Sequence, residues 1–138
     1  MAKRLIIAFA AGFVATLVFH QGVLALLHNL GYVPRAAWPM QPVPPFGIPA
    51  VVSLAFWGGV WGMIMMSMIE RRRGSAFWLA ALLFGAIFPT LVAWLIVAPI
   101  KHMPIAGGWK PKTMMIGPIV NGVWGLGTAL IYRVFLPR

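Results

Sequence analysis

The chain has 138 residues, 62% of them hydrophobic and 9% charged, with eleven Lys and Arg against one acidic residue and a net charge of +10. Soluble domains carry about a quarter charged residues, so the polar groups here are too few to cover a water-facing surface, and a soluble enzyme is excluded. The lack of cysteine removes disulfides, thiolate metal sites and cysteine nucleophiles, and basic residues clustered between apolar blocks fit a membrane protein touching anionic headgroups, with no nucleic acid as partner.

Lys3 and Arg4 precede the first apolar block, Leu5 to Leu30. It runs well past the roughly 7 to 15 residues of a signal-peptide core, so it reads as an uncleaved first span. Ala8, Gly12, Thr16 and His20 recur along it at i,i+4 spacing, a stripe of small and polar residues that permits close helix approach. Gly31 to Phe46 holds Pro34, Pro39, Pro42, Pro44 and Pro45 and reads as an extended, semi-rigid cover. The second block, Gly47 to Ile69, carries Gly58 and Gly62 and a methionine run, Met63 to Met68, that fits packing. The turn Glu70 to Ser75 is short enough to force adjacent antiparallel helices.

The third block, Ala76 to Ile100, has its own stripe of Ala81, Gly85, Pro89 and Ala93, with Pro89 expected to kink the helix and free the Gly85 carbonyl. Lys101 to Thr113, with Pro104, Gly107, Gly108 and Pro111, reads as a second irregular loop, and Met114 to Leu136 as the fourth span, striped by Gly117, Asn121, Gly125 and Ala129. Each block reaches the about 20 residues that cross a bilayer. Trp38, Trp78 and Trp109 fall at the expected interfaces. The expectation is an all-α polytopic membrane protein, a compact four-transmembrane-helix bundle forming one domain over residues 1–138.

Orientation follows from the basic residues. Lys3, Arg4, Arg71, Arg72, Arg73, Arg133 and Arg138 lie on one side, seven against the four of Arg35, Lys101, Lys110 and Lys112. Both termini are therefore expected in the cytoplasm.

A faint repeat runs through the chain. Thr16-Leu17-Val18 recurs as Thr90-Leu91-Val92, each followed by a histidine, His28 and His102, at a shift of 74; Gly59-Val60-Trp61-Gly62 recurs as Gly122-Val123-Trp124-Gly125 at a shift of 63. Drift of this kind, in a composition rich in Leu, Val, Ala and Gly, leaves chance as the competing explanation. A duplication would make two parallel-repeated hairpins, with spans one and three equivalent and the two histidines at equal depth.

Ionisable groups inside the hydrocarbon are the best functional pointers in such a chain. His20 lies deep in the first span beside Gln21, and with Asn121 it forms the candidate cofactor-binding set, for haem, another metal, a quinone or a small substrate. The competing reading is polar glue, with His20 bonded across to Asn121 or Thr90. His28 and His102 form a candidate metal pair, with Met40, Met103, Met114 and Met115 as thioether donors suited to Cu(I). Gly12, Thr16, Gly58, Gly62, Gly85, Gly117 and Gly125 are the helix-packing positions, and Arg71, Arg72 and Arg73 the lipid-headgroup contacts. Glu70, the lone carboxylate side chain, is expected to pair with those neighbouring arginines. Ser53, Ser67 and Ser75 have no acidic partner, so no catalytic site and no enzyme activity are expected.

With its four-block layout and the loop run Pro44-Pro45-Phe46-Gly47, the whole chain resembles small, uncharacterised four-span bacterial inner-membrane proteins. That resemblance implies location and layout and transfers no function. The residues themselves point to a non-catalytic accessory subunit docking on a larger respiratory or photosynthetic complex, with other membrane subunits as partners. The alternative is an autonomous carrier centred on His20, Gln21 and Asn121.

Overall fold

The computed structural model describes all 138 residues. Four helices are long and apolar enough to cross a membrane: α1 (Ala2–Asn29), α2 (Ala50–Ile69), α3 (Gly74–Ile100) and α4 (Pro111–Phe135). Their ends follow local chemistry. α1 stops at Gly31, whose φ of +84° suits a residue without Cβ. There the Tyr32 N–H donates to the Leu27 carbonyl at 2.9 Å and the Gly31 N–H to the His28 carbonyl at 3.0 Å, the paired bonds of a Schellman cap. α2 begins three residues later than the apolar block does, because Ile48 and Pro49 pair with Val43 and Pro42 in a short antiparallel hairpin, β1 (Pro42–Val43) and β2 (Ile48–Pro49). α4 begins earlier than expected, at Pro111, where a missing N–H costs nothing in a first turn.

α3 continues through Pro89. Beyond it the backbone widens to a π-helical segment, Ala93–Val97, as α1 does over Thr16–His20. Such single wide turns disturb the regular backbone ladder and recur at functional positions.

The helices meet where side chains are smallest. A Cβ on Gly12 would lie 2.2 Å from the Gly58 carbonyl oxygen, and one on Gly62 2.6 Å from that of Ala8, so α1 and α2 touch backbone to backbone. α3 and α4 cross in the same way: a Cβ on Gly85 would sit 2.3 Å from the Asn121 oxygen, and one on Gly125 2.3 Å from that of Ala81. α1 also packs along α4, while α2 and α3 touch only sparsely, giving the order α2–α1–α4–α3 around the bundle. Met65, Met66, Phe77, Trp124 and Tyr132 fill the main core. A smaller core of Leu24, Val33 and Val120 forms where the first loop folds over α1 and α4.

The two hairpins share several landmarks in the same order. At the crossings Gly12 matches Gly85 at a shift of 73, and Gly62 matches Gly125 at 63. At the helix ends the shift is 71. α3 closes with the same pair of cap bonds, Met103 N–H to Ala98 at 2.8 Å and His102 N–H to Pro99 at 3.1 Å, so His102, at φ +57°, occupies the left-handed position that Gly31 holds in α1. Trp38 and Trp109, at φ +53° and +60°, keep that shift. The fall from 71 to 63 is eight residues, the length of the Pro42–Pro49 hairpin, whereas the smaller change from 73 to 71 arises earlier, between the crossings and the helix ends. The cap also corrects the expected equivalence of the histidines: His28 corresponds to Pro99, and His102 stands beyond the end of its helix.

Candidate functional site

Polar groups gather at two levels of the bundle. The first lies at the π segment of α1. Gln21 is wholly buried, and its Oε1 accepts the Trp38 backbone N–H at 2.7 Å. That bond fixes the orientation of the amide, whose nitrogen stands 2.9 Å from His20 Nδ1. An amide nitrogen can only donate, so Nδ1 is an acceptor and the ring proton resides on Nε2, with Asn121 next to the ring. Asn121 in turn donates to the Thr90 hydroxyl at 2.9 Å. The Trp38 indole closes the arrangement by donating to the Leu17 carbonyl, inside the π segment, at 2.8 Å.

The structure thus brings His20, Gln21 and Asn121 together, places Thr90, expected as an alternative partner of His20, against Asn121 instead, and adds one member that sequence reasoning missed, Trp38. Trp38 is 48% exposed, and its backbone straps the first loop onto α1. No local pattern announces this contact between residues 17 and 21 positions apart; only the left-handed φ at Trp38, invisible in sequence, aims both N–H groups at the helix. The arrangement has a chemical consequence. Ligation through Nε2 is normally supported by an acceptor that takes the Nδ1 proton, whereas here Nδ1 faces a donor.

The expected metal pair is differently placed. His28 is half-buried and commits Nδ1 to the Val33 carbonyl at 2.9 Å, tightening the turn after α1. His102 is exposed in the left-handed turn after α3. No three side chains of the His, Cys, Asp and Glu types gather anywhere in the molecule.

The second level lies at the opposite end, around Glu70. The expected pairing of Glu70 with the adjacent arginines is replaced by long-range partners. Arg4 Nη1 donates to Oε1 at 3.0 Å, and the Tyr132 hydroxyl donates to Oε2 at 2.5 Å. Arg133 reaches the Glu70 carbonyl at 2.7 Å and the Arg72 carbonyl at 3.2 Å, with its guanidinium stacked 3.9 Å over the Phe77 ring. The Tyr132 hydrogen bond, helped by Arg4, holds the Glu70 carboxyl below its ordinary value of 4.5 against the opposing effect of burial. Adjacent arginines lose the competition because a carboxylate and its neighbours in a tight turn point apart, whereas the ends of α1 and α4 converge on it. Two recesses of the molecule open here, one of about 210 Å³ between Arg72, Arg73 and Arg138 and one of about 70 Å³ beside Glu70.

No family model, curated protein or solved structure matches this chain.

Proposed function

We propose that the chain is a multi-pass protein of a bacterial inner membrane, with both termini cytoplasmic, serving as a non-catalytic subunit of a larger membrane complex of the respiratory or photosynthetic kind. The observation that carries the reading is that polar side chains within the long apolar helices are committed inside the protein: Asn121 to Thr90 and Trp124 to the Gly12 carbonyl across helices, and His20 to Gln21 within α1. No buried side-chain nitrogen or oxygen lacks a partner. Groups used in this way lock helices together and leave the apolar exterior as the chemically available surface. Orientation is supported by the side on which Arg4, Arg71, Arg72, Arg73, Arg133 and Arg138 collect, since positive charge stays in the cytoplasm.

The competing reading, a haem, metal or quinone carrier, draws on the meeting of His20, Gln21 and Asn121 at a wide helical turn. Extraction in mild detergent followed by native mass analysis and an absorption spectrum separates the two. Stoichiometric membrane-protein partners are expected. A chain that purifies alone sinks the subunit reading, and a Soret band on that lone chain installs the carrier. Orientation has its own test: Met40→Cys and Met103→Cys, both on exposed positions, are expected to react with an impermeant thiol reagent in intact cells, and Ser75→Cys is not. The reverse pattern inverts the topology.

A further inference from the structure

The recess of about 210 Å³ at the Glu70 end is walled by Arg72, Arg73, Arg133 and Arg138, with Phe77 and Trp78 on one side, and no acidic side chain lines it. Four guanidiniums around one small space repel one another; Arg73 and Arg138 lie close enough to Arg133 to act on its charge directly. Glu70 does not relieve this, because its two oxygens face the neighbouring recess and are taken by Arg4 and Tyr132. What holds the cluster together is its framing. Arg133 is clamped by two backbone carbonyls and the Phe77 ring, and Arg138 is tethered to the Glu70 carbonyl at 3.2 Å. Arg72 and Arg73 line the recess and make no side-chain hydrogen bond within the protein, so their donors are uncommitted. The uncapped start of α3 follows Arg73 and adds its own partial positive charge.

Planar guanidiniums present paired N–H donors that match the oxygens of a phosphate, and several arriving from different directions can satisfy all of them. We propose that this recess binds a phosphate group, either the phosphodiester of an anionic lipid headgroup or a free phosphate from solution. Fixed Arg133 and Arg138 form the floor, and Arg72 and Arg73 close over the anion. This differs from diffuse attraction of Arg71, Arg72 and Arg73 to a charged surface, because Arg71 does not line the recess.

That difference supplies the test. The full chain is purified in a neutral detergent, stripped of lipid, and its thermal unfolding followed while phosphatidylglycerol or inorganic phosphate is added against chloride at matched ionic strength. At least one phosphate source is expected to raise the melting temperature where chloride does not. Arg73→Gln is expected to weaken the apparent affinity about tenfold, the effect of losing one charge-assisted bond, while Arg71→Gln, which removes the same charge outside the recess, leaves it unchanged. Arg72→Gln repeats the measurement should Arg73→Gln disturb the turn. Stabilisation by the lipid alone assigns the headgroup; stabilisation by inorganic phosphate alone assigns the soluble anion; stabilisation by both establishes the phosphate site for either source. Equal losses in the Arg71 and Arg73 variants, or no stabilisation beyond that of chloride, overturn the proposal.

Discussion

The indole nitrogen of Trp124 donates to the carbonyl oxygen of Gly12 at 3.1 Å, across 112 residues of chain. The same oxygen accepts the Thr16 hydroxyl at 2.8 Å. Gly12 is also the position at which α1 meets α2 without side chains, so one residue joins three helices, by close approach on one side and by hydrogen bonding on the other. Trp124 is 3% exposed, and its donor has no water to fall back on.

Two substitutions separate these contributions. Trp124→Phe keeps most of the ring and removes the donor; it is expected to cost about 0.5 to 1.5 kcal/mol, the net worth of an ordinary hydrogen bond. Gly12→Ala places a Cβ against the rigid Gly58 carbonyl and is expected to cost more, about 1 to 3 kcal/mol, because backbone cannot move aside as a side chain can. Gly85→Ala, facing the Asn121 carbonyl in the second hairpin, should match Gly12→Ala. Unfolding in detergent or by steric trapping measures all three, and an Ala variant milder than Trp124→Phe would mean that the helices are not in backbone contact.

The four spans and the spacing of their small residues are legible in the sequence because both depend on composition over short distances. Ala8, Gly12 and Thr16 can be seen as a stripe before any partner is known. The pairing of Glu70 with Arg4 and Tyr132 is not legible, since it spans 66 and 62 residues and depends on which helix ends converge. The strap from Trp38 to Gln21 escapes for another reason: it needs a left-handed tryptophan, which no residue pattern encodes. The matched histidines mislead because the shift of 74 read from the Thr-Leu-Val triplets does not hold at the helix ends, where the cap bonds give 71.

Acid should weaken the Glu70 end of the bundle. The folded carboxyl has its pKa below the ordinary 4.5, so the unfolded chain takes up a proton first as pH falls. The resulting stabilisation is present above 4.5, and it is lost as pH drops through the lower, folded value. Melting temperatures followed from neutral pH downward are expected to decline in this window for the parent chain and to be flatter for Glu70→Gln, which still accepts from Tyr132. An acid decline as steep in the Gln variant would place its source elsewhere.

For His20 the informative quantity is rank order. As a link between helices, through the Asn121 beside its ring, His20→Gln retains hydrogen-bonding capacity and is expected to be mild, whereas His20→Leu removes that contact and is expected to cost about 0.6 to 1.7 kcal/mol, the range for polar contacts between membrane helices. A cofactor ligand would give a different pattern, because a carboxamide replaces an imidazole on iron or copper poorly. Gln and Leu variants that both lose a bound chromophore or metal to the same degree would displace the subunit reading.

The sparse seam between α2 and α3 gives the molecule a preferred line of fracture. Each hairpin is welded internally by its glycine crossing, and the two are riveted along α1 and α4, while the remaining edge is held by the Glu70–Arg73 turn, the arginine contacts beside it and the edge-on Trp61–Phe84 pair. Loosening that edge lets the hairpins swing apart like the covers of a book about the α1–α4 spine, without undoing either one. A bundle built this way yields first at one gutter, and whatever slips between its helices, whether an acyl chain or a neighbouring helix, meets the least resistance there.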